Sequence, residues 1–526
     1  MAVVVIGSGP AGAAAATALC DAGLRVIVLD AGDTIEQGRM DLFEELARAE
    51  PRSWTPASVA RARGDFPADV KHVPLKPAFG SLFPYVRDDP DLPIACEGAD
   101  ALSSLAYGGL SNAWGAAILP FRESDITSWP ISIDELQPHY EAVQRFLPVA
   151  AEHDELNDSL PLYTSNPGTL KRSRQAQALL GHLRCHTQAL RAAGFAFGAS
   201  RLAVVSEPAD RRHCRQCGLC LYGCPYGSIY NGAHTFDALR RAGRIDYRGG
   251  TYVDRLTETD GSVTIDFHAR TRPTATGQLI ASRVLVACGA ISSTRLMLAS
   301  LRCSRRVREM QDSQYFVIPM ITRHAASVSV AGQGNTLAQL FVELEGQRVC
   351  AHSVHLQVYG YNDIMLAALA KRLPLSPARL ERILSPLIGR LVIIQGFLHS
   401  ADSPKLRLDY RPGQIRIVGE DEAIGAVHVK HLVRRLAAHS RLLGMAPVPR
   451  LVHLGRPGKS NHLGGALPMR SQPGEMDTDL LGRLPAWDRV HIVDAAVFPS
   501  VPGTTVTLSV MANAHRIATA AAQIER

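Results

Sequence analysis

Cys214, Cys217, Cys220 and Cys224, with Pro225 behind them, spell C-x2-C-x2-C-x3-C-P. Thiolates this close serve an iron-sulfur cluster, a structural zinc or disulfides. The spacing is that of bacterial ferredoxins, whereas zinc favours two separated C-x-x-C knuckles, so the pattern leans toward iron and sulfur. In two-cluster ferredoxins the fourth cysteine serves the other cluster, and no second run occurs here. A lone site is then a three-cysteine [3Fe-4S] cluster, or a [4Fe-4S] cluster completed by Cys224 or by a remote thiol such as Cys185. Cys20 and Cys288 lie in apolar segments and read as packing.

A second constellation is Gly7, Gly9 and Gly12, a G-x-G-x-x-G enclosing Pro10 and Ala11, with Asp30 downstream in VLDAG. The glycines permit a tight turn, close approach of the backbone to a pyrophosphate, and helix-on-strand packing. Asp30 is placed to take ribose hydroxyls, and its charge disfavours a 2'-phosphate. Locally this leaves FAD and NAD open.

These residues need elements to hold them. Val3 to Ile6 reads as a strand, the alanine-rich stretch to Ala22 as a helix, and Val26 to Leu29 as a second strand: a βαβ start. The same unit returns at Arg283 to Ser300 and from His491 into the final helix. LAQLFVEL, CAHSVHLQVYG and KLRLDYRPGQIRIVG alternate in hydrophobicity as antiparallel strands with one wet face do. The expected fold is α/β, α+β overall: a discontinuous Rossmann-type domain (1–130, 211–300 and 456–526, with the cysteine insertion at about 211–230) and an inserted substrate domain (131–210 and 301–455) on an antiparallel sheet with helices.

YGGLSNAWGAAILPF, SWPISIDELQPHYEAV, VLVACGAISSTRLML, NHLGGALPM and VHIVDAAVFPS follow one another along the chain, and in this order they resemble the glucose-methanol-choline (GMC) oxidoreductase family over essentially the whole length. The resemblance implies FAD, bound non-covalently or through a histidine, and an alcohol oxidised by hydride transfer to flavin N5. It implies a flavin-side loop carrying Gly108, Gly109, Ser111, Asn112 and Trp114, a phosphate and ribityl contact at Asp494 and Ala495, and an adenine contact at the backbone of Val253. The lesser alternative for Asp494 is a helix N-cap. Among nineteen histidines, His462 matches the family's catalytic base. The family's second His or Asn falls here on Thr505, which can form hydrogen bonds but is no base at pH 7. Relatives with a comparable cysteine insertion are sugar dehydrogenases and long-chain alcohol oxidases. A cluster would favour a dehydrogenase handing single electrons to a protein or quinone acceptor. An oxygen-using oxidase, a non-redox flavoprotein lyase and an electron-transfer subunit of a larger complex are the competing readings.

The composition sets outer limits. With 526 residues, 46% hydrophobic and 20% charged, the chain should fold into more than one core. No run reaches the length of a membrane span, since Ile383 to Leu398 is interrupted by Arg390. The start enters a glycine motif without a signal sequence, so a cytoplasmic location is the expectation. Met365 to Leu391 reads as a capping segment in preference to a membrane-surface helix, because Pro374, Pro377 and Pro386 interrupt it. Arg211, Arg212 and Arg215, and Arg305, Arg306 and Arg308, form basic runs that suit an acidic partner or a solvated face. Without interleaved aromatics they exclude nucleic acid as the expected ligand.

Overall fold

Val3–Ile6 is four consecutive apolar residues, all buried, as a strand covered on both faces requires. In the computed structural model, which describes residues 1–64, 76–86, 89–259, 261–323, 334–360, 379, 382–383, 387, 389–420 and 422–525, it is the centre of a five-stranded parallel sheet. The order across that sheet is Val490–Ile492, Arg283–Val286, Val3–Ile6, Val26–Leu29, Ile245–Arg248. Register is direct, Val3 lying beside Val26 on one side and Arg283 on the other. Each fully buried aliphatic side chain here contributes about 1.5–3 kcal/mol. The helix Pro10–Asp21 packs against this sheet and against the terminal helix Thr507–Glu525.

A second, antiparallel sheet of seven strands runs in the order Met445–Pro447, Tyr315–Thr322, Leu391–Phe397, Val354–Gly360, Leu340–Leu344, Phe195–Ala199, with the two-residue strand His453–Leu454 also paired to Tyr315–Thr322. Strand period two divides its side chains. Phe316, Ile318, Met320, Leu356, Val358, Val392 and Ile394 enter a core shared with Leu179, Leu183, Leu432 and Leu436 of the helices Arg174–Cys185 and Glu422–Ala438. The opposite face carries Val317, Gln357, Tyr359, Ile393, Gln395 and Phe397 and looks into a cavity.

The alternation read from the sequence is therefore right in period, and for Val354–Gly360 wrong about water. Every residue from Val354 to Tyr359 is buried, because the polar face is covered by the rest of the protein. The hairpin Lys405–Arg411 and Gln414–Glu420 does keep a partly exposed face and belongs to a different five-stranded sheet. Most of Met365 to Leu391, with its expected capping role, lies outside the described residues. No helix among the described residues is long and apolar enough to cross a membrane.

Burial holds several histidines neutral, aided at each by a neighbouring cation or imidazole: His139, His234, His399 and His491 are lowered to about 4 and His462 to about 3. Below an unfolded value of about 6.5 the unfolded chain takes up protons that these folded sites refuse, so acid favours unfolding. Asp30 and Asp312, raised by burial to about 7 and about 6, act in the opposite sense and, with the raised Asp33, Asp125, Asp154, Asp494 and His268, offset part of this effect. The midpoint of thermal unfolding is expected to fall by several degrees between pH 7 and pH 5; a midpoint that rises over that interval would contradict this assignment.

Candidate active site

The turn after Val3–Ile6 is so tight that Gly7 sits at φ +102°, where a Cβ would lie 2.6 Å from the Ala287 carbonyl oxygen. A Cβ on Gly12 would lie 2.1 Å from the Gly7 carbonyl oxygen, so only glycine lets the helix start this close to the strand. Gly9 is different. Nothing lies within 4 Å of its would-be Cβ, and the space before it is cavity. The helix beginning at Pro10 has no side-chain cap, which leaves first-turn N–H groups available to an anion. Asp30 accepts from the Ser8 amide at 3.2 Å, the Ser8 hydroxyl at 2.5 Å and the Tyr247 hydroxyl at 2.9 Å. Burial nevertheless pushes its carboxyl up to about 7 against those three donors.

One cavity of about 930 Å³ begins at this turn. It is lined by Gly7, Gly9, Pro10, Ala11, Asp30, Gly109, Ser111, Trp114, Val253, His462, Asp494, Ala495 and Thr505, all expected at a site, and it continues to the antiparallel sheet. Its size and its chiefly apolar lining with a few polar groups suit a large, flat organic cofactor together with a small substrate. With open space at Gly9 and an uncapped helix start, the residues present fit a dinucleotide.

Gly12, Gly108 and Asn112 do not line the cavity. Their neighbourhood explains this. The Gly108 amide donates to Ser8 Oγ at 2.9 Å, joining the flavin-side loop of the family pattern to the glycine turn. The Ser111 hydroxyl donates to the Gly108 carbonyl at 2.5 Å and accepts from the Gly232 amide at 2.9 Å. The Asn112 amide donates to the carbonyls of Tyr107 and Gly109 at 2.9 and 2.8 Å, and Trp114 Nε1 donates to the Tyr230 carbonyl at 2.8 Å. Ser111 thus ties the loop to the first residue of the helix Gly232–Arg241, Trp114 ties it to the residue two before that helix, and Asn112 braces the loop on itself. Asp494 is an N-cap, accepting from the Ala496 amide at 2.9 Å, and it also accepts from the Gly289 amide at 2.8 Å and the Ser293 hydroxyl at 2.5 Å. The Val253 carbonyl accepts from Arg295 at 2.7 Å. Thr505 Oγ1 accepts from the Leu119 amide at 2.9 Å.

His462 is presented by a turn anchored on one buried carboxylate. Asp312 accepts from the Gly458 amide and from the Ser460 hydroxyl, both at 2.7 Å, and Ser460 Oγ accepts from the His462 amide at 2.8 Å. Asn461 between them takes φ +58°. The imidazole stacks on Phe397 with ring centroids 4.6 Å apart, and its Nδ1 has no hydrogen-bond partner among the described residues. Burial first, and then the charge of His355, lowers its pKa to about 3, so the ring is neutral at any ordinary pH.

The four clustered cysteines are free thiols around one small pocket with Tyr226, Asn335 and Leu337. The space between them is about 10 Å³, room for one water at most. Among the described residues no group of three or more His, Cys, Asp or Glu side chains is placed to hold a metal ion, so the expected metal centre is not preformed. Burial, then the nearby thiol groups, pushes the Cys214 thiol up to about 12 and raises Cys217 and Cys220 as well. The four thiols line one small pocket without forming a ready set of metal ligands. Of the arginines thought free to steer a partner, Arg212, Arg215, Arg305, Arg306 and Arg308 have carboxylate partners in Asp210, Glu50, Asp409, Glu475 and Asp477.

Sequence reasoning missed Lys76, Asp312, Gln357, Tyr359 and Gln395. Lys76 lines the cavity, and its Nζ donates to the Trp114 carbonyl. Burial lowers it to about 8 against the charges of Cys220 and Cys224. No local pattern marks Lys76 or Asp312. Gln357 and Tyr359 were visible as the polar members of an alternating strand.

A family model described as FAD binding domain matches residues 2–57. The chain is 25% identical over 307 residues to the 2-methyl-1,2-propanediol dehydrogenase of Mycolicibacterium austroafricanum, a match covering 57% of this chain and 50% of that protein. It thus spans about half the length of the curated relative it matches. The crystal structure of pyridoxine 4-oxidase from Mesorbium loti superposes with a TM-score of 0.60 at 15% identity, covering 98% of each chain, which is a likeness of fold. The N-terminal glycine turn accordingly lies in the segment that matches an FAD-binding domain, and the mixed α/β architecture is similar to that of the pyridoxine 4-oxidase structure.

The contrast between two glycines is testable. Gly9→Val meets open space, so the flavin-free protein should keep its melting temperature while losing bound FAD. Gly12→Ala meets backbone, so it should destabilise the flavin-free protein itself. Thermal melts and flavin absorbance on the two purified variants read both outcomes.

Proposed function

We propose that the chain is an FAD-dependent oxidoreductase acting on the CH–OH group of an alcohol, in the manner of the GMC family, with His462 as the base. The observation that carries this reading is the single cavity joining the glycine turn to a half-buried, neutral histidine. Gly7, Gly9, Ala11 and the helix start would hold the pyrophosphate, Asp30 the ribose, and Gly109 and Ala495 the walls beside the ring system. Bound FAD supplies the hydride acceptor.

The chain's own contribution is proton handling and exclusion of water. A neutral imidazole can take the hydroxyl proton as hydride leaves carbon. The imidazole takes the proton as the carbonyl forms, and because burial makes the imidazolium costly the ring then gives that proton up to solvent and returns to its neutral form. Phe397 fixes the ring plane, and the Asp312 anchor fixes the turn. Thr505, with its oxygen accepting from Leu119, can still donate one hydrogen bond toward the cavity. Residues 1–130, 211–300 and 456–526 form the cofactor-binding part and 131–210 and 301–455 the substrate part. In support, all strands of the parallel sheet fall in the first set and those of the seven-stranded cavity wall in the second.

Cys214, Cys217, Cys220 and Cys224 would hold an iron-sulfur cluster, [3Fe-4S] or [4Fe-4S], whose chemistry is one-electron transfer to an external protein or quinone acceptor. Their spacing and convergence on one pocket support this. The closed pocket supports a second reading, in which the thiols are structural and oxygen is the acceptor.

His462→Ala should keep FAD bound and slow its anaerobic bleaching by alcohol by about 10²-fold or more. In the parent protein the proton-accepting form of His462 is lost only as pH falls through about 3, so the bleaching rate should show no acid limb between pH 8 and pH 5. Iron and acid-labile sulfide assays on anaerobically purified protein decide between the cysteine readings. Stoichiometric iron and sulfide, lost in Cys217→Ser, support the cluster; flavin alone supports structural thiols.

A further inference from the structure

The cavity face of Val354–Gly360 carries three polar side chains in a row, His355, Gln357 and Tyr359, as strand period two demands. Register sets Glu343 opposite His355 and Gln395 opposite Gln357. Glu343 is 2% exposed and is held from two sides, by Arg122 at 2.9 Å and by His355 Nδ1 at 2.6 Å. Burial alone would raise its carboxyl; His355 and Arg122 overcome that and hold it below the usual range.

From that carboxylate each orientation along the row follows from the last. An imidazole nitrogen facing a carboxylate carries the proton, so His355 Nδ1 donates to Glu343 and leaves Nε2 to the next side chain along the row. Gln357 lies 3.1 Å from that Nε2 and turns its NH₂ toward it. Its carbonyl oxygen then faces Tyr359, whose hydroxyl must donate, at 2.8 Å. The Tyr359 oxygen keeps lone pairs, and the Gln357 amide keeps a second N–H. Across the sheet, Gln395 lines the same cavity and its side chain makes no hydrogen bond among the described residues.

A lone pair and an amide N–H side by side are the complement of a hydroxyl, which donates and accepts at once. The row starts beside Phe397, on which His462 stacks, and each step of two residues advances about 7 Å along the sheet. Beyond it the lining turns apolar, with Pro319, Ile321, Leu391 and Ile393. We infer that Gln357, Tyr359 and Gln395 form a subsite for a second hydroxyl of the substrate, oriented by the Arg122, Glu343 and His355 row, so that the substrate is a diol with an apolar extension. The three orienting residues are positioning residues. The inference rests on the cavity being the site of alcohol oxidation.

The test compares 1,2-octanediol and 1,3-octanediol with 1-octanol on the FAD-loaded protein, by anaerobic flavin bleaching and by calorimetric binding. A site that must hydrogen-bond a hydroxyl rejects the analogue lacking it, so the better diol should exceed 1-octanol by about 10²-fold in kcat/KM. Tyr359→Phe, which keeps the ring and its packing, should shrink that ratio to about threefold or less. Glu343→Gln should shrink it mainly through KM of the diol, a change that simple loss of stability would not confine to one substrate. Bleaching by all three alcohols at similar rates, with a ratio that Tyr359→Phe leaves alone, overturns the subsite and leaves alcohol oxidation standing. If no alcohol bleaches the flavin but a diol still binds more tightly than 1-octanol, and Tyr359→Phe removes the difference, the subsite stands and the oxidation reading falls.

Discussion

A strand offers its side chains to two faces only, and in the seven-stranded sheet one of those faces is already committed to a core of Phe316, Ile318, Leu356, Val392 and Ile394. Whatever occupies the alternate positions must therefore line the cavity. Phe397 under His462, Gln395 and Gln357 as a facing pair, and Glu343 beside His355 all follow from this constraint and the register. The parallel sheet supplies the opposite wall, where glycines bring backbone close enough for a cofactor. The site lies where two sheets of different construction meet, and neither would make it alone.

Electrostatics at this meeting place are set by burial more than by pairing. His462 stays neutral because it is dry, and Asp30 and Asp312 are raised for the same reason. The exception is the Arg122, Glu343 and His355 group, where two partners hold a carboxylate charged deep in the protein. Leaving one partner without the others would strand a buried charge, typically about 3–5 kcal/mol. Such a group is rigid, which suits a device that orients its neighbours.

What was legible in the sequence was local. The βαβ start, the fingerprint glycines and the alternating strands depend on spacing within a few residues; the βαβ start appears within a residue or two of its expected bounds, and the strands of the two segments from Leu337 and Cys350 begin three and four residues later. What was not legible depends on which residues meet across the chain. Val354–Gly360 was read as half wet because alternation reports polarity and cannot say what covers the polar face. Ser111 and Trp114 line the cavity as expected, but the hydrogen bonds that hold their loop to a segment more than a hundred residues away could not be read from spacing. Asp312 carries no motif, and its meaning lies in a turn at 458–462 that no window of sequence contains. The cysteine run shows the limit in another form, since spacing named a cluster while packing closed the pocket around the thiols.

The shared face also bears on how such a protein changes over generations. Inserting or deleting one residue in Val354–Gly360 or Leu391–Phe397 would send every core side chain into the cavity and every cavity side chain into the core. Descendants can therefore explore new molecules by replacing residues at alternate positions, while the strand lengths stay frozen. Drift in taste and conservation of length are two results of one pleat.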